Sequence, residues 1–245
     1  AHSSRKIFST RDFSFLKKQE QTLAVYQKII GRIFNLLFKF SKCEIIVQTN
    51  WMKDSLLEKV KNMVTVIPPK VKVINNNTPW NGSDKNYFFY PANGAEYKNH
   101  EVIFKAVDIV ISQGYTNFQI ILTINQREVN NIRNYMFLGT ISREAVCRYY
   151  NQSILLFPSY IETYGMPLKE AQFFGAPIIA SNTLFSKEIL KNYPNAVFFE
   201  KYDSEELAKI MIRYINDEIL IVPPIKESDS DKKLVEYLTN SNHES

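Results

Sequence analysis

The stretch ILLFPSYIETYGMPLKEAQFFGAPIIAS, residues 154–181, decides the fold of this chain. The apolar run at 154–157 predicts a buried strand, and Pro167 suits the first turn of a helix over 167–174. Gly175 suits the end of that helix, and a second apolar run at 177–180 predicts another buried strand. Strand, helix and strand follow one another closely, as they do in α/β proteins.

The same alternation extends in both directions along the chain. It predicts further strands at 87–90, 118–124, 135–138 and 196–199, and further helices at 99–112, 143–150, 185–191 and 204–216. Ser142 is expected to cap the helix at 143, and Asp203 with Glu206 resembles a capping box. The predicted fold class is therefore α/β, with a parallel sheet that carries helices on both faces.

A polar, turn-rich stretch at 75–83 separates this region from an earlier one. Before it, the patterns predict one or two helices in 12–42, a strand at 44–48, a helix at 51–60 and a strand at 64–67. We therefore expect a partial α/β unit at 1–74, a linker at 75–84, the main domain at 85–217 and a tail at 218–245.

Composition excludes several classes of protein. The longest apolar runs are far shorter than the roughly 18 residues that span a bilayer, and no signal-peptide pattern opens the chain, so the cytoplasm is the expected location. Cys43 and Cys147 cannot form a zinc site with the three histidines at their spacings. We expect both cysteines to be reduced and buried.

The formal net charge of +5 is concentrated in the first 42 residues, which hold nine Lys or Arg and two acidic residues. The rest is slightly acidic, which argues against a nucleic-acid partner. Apolar residues within 5–42 recur at helical spacing: Leu23, Tyr26, Ile30, Ile33, Leu37 and Phe40. This stripe predicts an amphipathic helix, which either faces the core, the interpretation we favour, or contacts anionic lipid.

In a parallel sheet, ligands bind beyond the carboxyl ends of the strands, where the connecting loops converge. That rule brings Lys98, Glu162, Asn182 and the helix start at Gly165, Met166 and Leu168 to one edge. A helix start with unpaired amides favours a phosphate, and Lys98 adds a positive charge. Glu170, one turn into the helix, could accept hydrogen bonds from both hydroxyls of a ribose.

The segment FPSYIETYGMPLKEA, residues 157–171, resembles the hallmark of retaining glycosyltransferases of the family 4 type, in which seven residues separate two glutamates. YPANGAEYKNHE (90–101) is similar to the phosphate loop of that family, and the similarity spans about residues 43–216. The resemblance implies a two-domain GT-B fold whose C-terminal, Rossmann-like domain is residues 85–217. Residues 1–74 would be the end of the acceptor-side domain.

The resemblance also implies roles for individual residues. Glu170 would bind the ribose, Glu162 the transferred sugar, and Lys98 the diphosphate of a UDP- or GDP-linked donor. The backbone from Thr163 and Tyr164 to Leu168 would hold the sugar and the phosphates. The acceptor would be a glycan or a lipid-linked glycan of polysaccharide biosynthesis, with no metal and no cofactor required.

Two departures from the family pattern matter. Ala92, Asn93 and Gly94 stand where many relatives have an arginine, so phosphate binding would rest on Lys98. The resemblance also implies that most of the acceptor-side domain is absent from this sequence, and that His2 would occupy the place of a histidine near the sugar. Asp229 and Asp231 have the spacing of a metal-binding pair but lie in the predicted tail, so we assign them no metal.

Three hypotheses therefore remain: a retaining, metal-independent glycosyltransferase, which we favour, a nucleotide-sugar-binding module without transferase activity, and a nucleotide-sugar epimerase on the same fold.

Overall fold

The computed structural model describes residues 18–58, 60–71, 80 and 86–222 of the 245-residue chain. Within these ranges the strands form two sheets, one of two strands and one of six. His2, Asp229 and Asp231 lie outside the described residues, as does the 75–84 linker except for Trp80. The predicted domain bounds stay a prediction.

The first unit contains helix α1 (Lys18–Phe40), strand β1 (Ile45–Val47), helix α2 (Asn50–Leu57) and strand β2 (Val64–Val66). The two strands are parallel, with Ile46 opposite Thr65. One face of this small sheet packs on α2 through five buried residues: Ile45, Val47, Leu56, Val60 and Val64. Both strands and α2 are confirmed as predicted.

The second unit is a parallel sheet of six strands in the order β5-β4-β3-β6-β7-β8. The strands are β3 (Tyr87–Tyr90), β4 (Gln119–Leu122), β5 (Tyr135–Phe137), β6 (Ile154–Phe157), β7 (Ile178–Ser181) and β8 (Ala196–Phe199). Every residue of β6 and β7 is buried, because both faces of the sheet are covered. This strand order is the Rossmann order, and the predicted fold class is confirmed.

Five helices connect or follow these strands: α3 (His100–Ser112), α4 (Arg143–Gln152), α5 (Met166–Phe174), α6 (Leu184–Ile189) and α7 (Ser204–Ile215). Helix α3 packs against α7, whereas α5 contacts both α4 and α6. Right-handed crossovers place these two groups on opposite faces of the sheet. All five helices were predicted from the sequence.

The predicted helix ends are confirmed with one difference. The Ser142 hydroxyl accepts the Ala145 amide, and Gly175 ends α5 in the left-handed conformation with φ of 74°. The Asp203 carboxylate accepts the Glu206 amide, but the Glu206 carboxylate accepts the Glu200 amide instead of closing the box on Asp203. The capping box is therefore half formed.

The prediction for the cysteines is half right. Both thiols are free, and Cys147 is buried as expected, but Cys43 is exposed. The Cys43 sulfur lies 3.0 Å from the Ser41 hydroxyl in the connection from α1 to β1. Cys43 precedes the buried strand, and so its side chain is outside the small core.

The favoured, core-facing interpretation of the stripe in residues 5–42 is wrong for the part of α1 that the structure describes. Ile33 and Leu37 are about half exposed, and Phe40 is 79% exposed. The physical reason is that α2 already covers the small core, where Phe38 is the one described residue of α1 that packs. No helix in the described part of the chain is long and apolar enough to span a membrane.

Candidate functional site

Three loops meet at the carboxyl edge of the six-stranded sheet, because β3, β6 and β7 are parallel neighbours. The Ser181 hydroxyl at the end of β7 donates to the carbonyl of Ser159, which follows β6. The amide of Tyr160, the next residue, in turn donates to the carbonyl of Tyr97, in the loop after β3, at 3.1 Å. Hydrogen bonds from buried residues therefore connect the loops that carry the predicted site.

The structure brings Lys98 and Glu162, two of the three residues predicted to be catalytic with His2, into direct contact. The Lys98 ammonium donates to Glu162 Oε1, and both side chains are largely buried. The Ser159 hydroxyl donates to the same oxygen at 2.8 Å. Lys98 ends a 3₁₀ turn, Glu96–Lys98, and its carbonyl accepts the hydroxyl of Tyr90 from β3 at 3.0 Å. The pair is thus anchored on two neighbouring strands.

Asn99 is a residue of this site that the sequence analysis missed. It is buried, has φ of 57°, and donates through Nδ2 to the carbonyls of Pro158 at 3.3 Å and Lys201 at 2.6 Å. Asn99 therefore joins the loops after β3, β6 and β8. An asparagine directly after the lysine, at a helix start, was the available signal, since asparagine tolerates the left-handed region.

The start of α5 offers fewer amide donors than the sequence indicated. The Leu168 amide bonds to the Gly165 carbonyl at 2.9 Å within its own turn, and the predicted role of Leu168 in donor binding stays a prediction. Pro167 has no amide hydrogen. The amides of Gly165 and Met166 have no partner among the described residues and remain available. Gly165 has φ of 91°, and an added Cβ would lie 3.2 Å from Leu168 Cδ1, so this turn requires glycine.

The two other predicted loop residues, Thr163 and Tyr164, lie where the units meet. The Thr163 carbonyl accepts the Thr49 hydroxyl, and Tyr164 is 7% exposed. Across the same junction, Glu188 on α6 accepts the amides of Asn50 and Trp51 at 2.6 and 2.8 Å, and so caps α2. Asn182 donates to Glu200, at the end of β8.

Glu170 is 3% exposed, and both of its carboxylate oxygens have protein partners. Arg143 Nη2 donates to Oε1 at 2.5 Å, and the Tyr150 hydroxyl donates to Oε2 at 2.9 Å. Burial, then the nearby Glu170 charge, raises the pKa of Tyr150, so this phenol stays protonated. The hydrogen bond to Glu170 raises the pKa of Arg143. The sequence analysis missed both partners.

A cavity of about 360 Å³ opens beside Glu170 at the carboxyl edge of the sheet. It lies between the loops after β3, β4 and β5 and the first turn of α5. Its lining is mixed, with both apolar and polar side chains: Pro91, Ala92, Asn93, Thr123, Thr140, Ile141, Arg143, Val146, Tyr150, Met166, Pro167 and Glu170. Its volume and position suit a small organic ligand that reaches α5.

Besides Arg143, a further cation that the sequence analysis did not identify, Arg127, lies near the cavity. Arg127, in the loop after β4, points Nη2 at the carbonyl of Gly94 at 3.4 Å. It thus brings a positive charge to the stretch that lacks the arginine of the family pattern. Burial, with Arg127 and Lys98 close by, lowers the pKa of His100 to about 4, so His100 is neutral near pH 7.

Within the described ranges, no group of three His, Cys, Asp or Glu side chains is arranged to hold a metal ion. His2 lies outside these ranges, and its predicted place near the sugar stays a prediction.

The family model described as glycosyl transferases group 1 matches residues 75–237. Among curated proteins, the chain is 26% identical over 210 residues to an uncharacterised glycosyltransferase of Methanocaldococcus jannaschii, covering 81% of the chain and 57% of that protein. It is 27% identical over 131 residues to the capsular polysaccharide biosynthesis glycosyltransferase CapM of Staphylococcus aureus, covering 49% of the chain and 34% of CapM.

Solved structures support the fold. Sucrose-phosphate synthase from Thermosynechococcus elongatus superimposes with a TM-score of 0.62 at 17% identity, over 82% of this chain and 55% of that one. HepE of Anabaena, solved in complex with UDP, superimposes with a TM-score of 0.60 at 14% identity, over 87% of this chain and 61% of HepE. The chain thus spans about a third to three fifths of the lengths of these proteins.

Asn99 provides a test of how the loops are held. In Asn99→Gly the left-handed backbone is retained but both side-chain hydrogen bonds are lost, which should lower the free energy of unfolding by roughly 1–3 kcal/mol. Asn99→Ala should cost about 1 kcal/mol more, because alanine resists this φ. Urea unfolding followed by circular dichroism measures both. Equal stability of all three chains would contradict this account of the loop junction.

Proposed function

Since the chain belongs to the glycosyl transferases group 1 family, we propose that it acts as a retaining, metal-independent glycosyltransferase with a UDP- or GDP-linked sugar as donor. The observation that carries the proposal is the cavity beside Glu170, which opens at the start of α5 and is flanked by the loop that bears Lys98. HepE, with the same fold, binds UDP. We extend that ligand class to this chain because the Glu170 carboxylate, the amides at the start of α5 and the Lys98 ammonium lie at one edge of the sheet.

We assign the ribose to Glu170 and the diphosphate to Lys98 and the amides of Gly165 and Met166. The partial positive charge of the helix start and the ammonium both favour an anion there. Arg127, at Gly94, adds charge on the other side of the same loop. The nucleoside then occupies the cavity between the loops after β3, β4 and β5.

The Lys98–Glu162 pair gives the proposed order of events. Without donor, the ammonium and the carboxylate neutralise each other. Donor binding gives Lys98 a diphosphate oxygen, and Glu162 then accepts hydrogen bonds from the sugar. The acceptor oxygen bonds to the anomeric carbon on the face from which the diphosphate leaves, and its proton passes to the departing phosphate oxygen. Charge that develops on the diphosphate is stabilised by Lys98, so no metal is required in this scheme.

The acceptor is proposed from the relatives. CapM acts in capsular polysaccharide biosynthesis, and a growing glycan or lipid-linked glycan is the corresponding acceptor class here. His2 is proposed to lie near the transferred sugar, as the family resemblance implies.

A binding module without transferase activity is the second candidate. Its support is that every described residue lining the cavity belongs to the six-stranded unit, so this unit would hold the nucleoside part of the donor. An epimerase is distinguished by interconversion of the donor sugar without an acceptor.

We also propose that the chain contacts an anionic membrane surface from the cytoplasm through residues 5–42. In the described part of this segment, Phe34, Leu37 and Phe40 are exposed, and so are Arg32 and Lys42. Apolar residues beside cations are the pattern of interfacial helices. Because α1 contacts the turn that bears Lys98, a lipid-linked acceptor at that surface would be near the donor.

The roles of Glu170 and Lys98 can be separated by two variants. Glu170→Ala should weaken UDP or GDP binding by about 10- to 100-fold in calorimetry, because charge-assisted hydrogen bonds to the ribose are lost. Lys98→Ala should slow transfer by about 10²- to 10³-fold with a smaller loss of nucleotide affinity. Exposed residues on α7 and α3 provide matched controls, Glu205→Ala and Lys105→Ala.

A thermal-shift screen with UDP and GDP, carried out before the calorimetry, identifies the base of the donor, since bound nucleotide raises the melting temperature. If neither UDP nor GDP shifts the unaltered chain, the proposed function is wrong. If Glu170→Ala binds nucleotide normally, the ribose assignment alone is wrong.

The membrane proposal predicts that the chain co-sediments with vesicles that contain phosphatidylglycerol and much less with pure phosphatidylcholine. Reversing two charges, in Arg32→Glu with Lys42→Glu, should lower binding by roughly 10-fold or more, because each basic residue contributes about 1 kcal/mol near such a surface. The same reversal at Lys105 and Arg148, in the other unit, is the control. Equal binding to both kinds of vesicle, or none, would contradict the proposal and favour a protein partner for α1.

A further inference from the structure

Both donors to Glu170 come from one helix. Arg143 is the first residue of α4, and Tyr150 lies seven positions later, which is two turns along the same face. One donor binds each carboxylate oxygen. Helix α4 packs directly on α5, which carries Glu170, so the spacing of the two donors is fixed by the helices.

The hydrogen bonds from Arg143 and Tyr150 leave the Glu170 carboxylate able to accept further hydrogen bonds. A carboxylate oxygen can accept two hydrogen bonds, and each oxygen of Glu170 accepts one from α4. One acceptor position per oxygen therefore remains. A vicinal diol presents two adjacent hydroxyl donors, which match this pair of positions.

The environment of the two donors differs. The Tyr150 side chain is 1% exposed, and its ring stacks on Phe174 at 6.0 Å, so the hydroxyl has little freedom to move. The Arg143 side chain is 41% exposed and lines the cavity mouth, where it supplies the charge that balances a buried carboxylate. Tyr150 thus mainly fixes the orientation of the Glu170 carboxylate, and Arg143 balances its charge.

We propose that Arg143 and Tyr150 are positioning residues that hold Glu170 so that both of its oxygens face a ribose diol, which makes the site select ribonucleotides over 2′-deoxyribonucleotides. This inference rests on the proposed function. A 2′-deoxyribose leaves one oxygen of Glu170 without its expected partner, and a buried acceptor without a partner is unfavourable. In this arrangement both α4 residues orient the diol through the Glu170 carboxylate.

The experiment compares UDP with 2′-deoxy-UDP by calorimetry, or GDP with 2′-deoxy-GDP if the screen selects guanine. The unaltered chain should bind the ribonucleotide about 10- to 100-fold more tightly. In Tyr150→Phe and Arg143→Gln this ratio should fall to about threefold or less, because affinity for the ribonucleotide drops while affinity for the deoxyribonucleotide changes little.

Two control variants lie on the same helix. Tyr149→Phe removes a hydroxyl whose described neighbour is the Met136 sulfur at 3.9 Å, and Arg148→Gln removes an exposed guanidinium. Both should keep the ratio of the unaltered chain. General destabilisation lowers affinity for both nucleotides together, so the ratio separates positioning from a structural defect.

Three outcomes would overturn the inference. If the unaltered chain binds both nucleotides equally, Glu170 does not select the diol, although the proposed function stands. If Arg143→Gln weakens both nucleotides and inorganic pyrophosphate alike, Arg143 binds the diphosphate instead. If neither ribonucleotide binds the unaltered chain, the proposed function fails as well.

Discussion

The burial of Glu170 is the constraint around which the site at the carboxyl edge of the six-stranded sheet is built. A carboxylate that is 3% exposed is stable only when hydrogen bonds and an opposite charge replace the water it has lost. Arg143 and Tyr150 supply both, and they can do so only while α4 packs on α5. The ends of these helices are therefore part of the same arrangement: Ser142 caps α4, and glycines at both ends of α5 set its position.

The parallel sheet determines what else can reach this carboxylate. Because β3 and β6 are neighbours, the loops that follow them meet, and Lys98 contacts Glu162, which lies 64 positions later in the chain. Asn99 and Ser181 then donate to backbone carbonyls of the neighbouring loops and tie these loops together. The Lys98–Glu162 ion pair, a helix start and a cavity thereby share one edge, which is where α/β proteins bind ligands.

Much of the fold could be predicted because buried parallel strands are nearly continuous apolar runs, and this signal is local. The hydrogen-bond donors to Glu170 could not be predicted, because their position depends on how α4 and α5 pack. Arg127 reaches Gly94 from a different loop, and the Leu168 amide is used within its own turn. The exposed face of α1 was misread for a related reason: helical spacing shows that a face is apolar but not what covers it.

We propose that this edge of the sheet binds a nucleoside diphosphate with its ribose on Glu170. The decisive measurement is a crystal structure of the chain soaked with UDP or GDP. Both ribose hydroxyls should lie within hydrogen-bond distance of the two Glu170 oxygens, and the diphosphate should lie at Lys98 and the start of α5. A nucleotide bound away from α5, or with its ribose turned from Glu170, would rule this arrangement out.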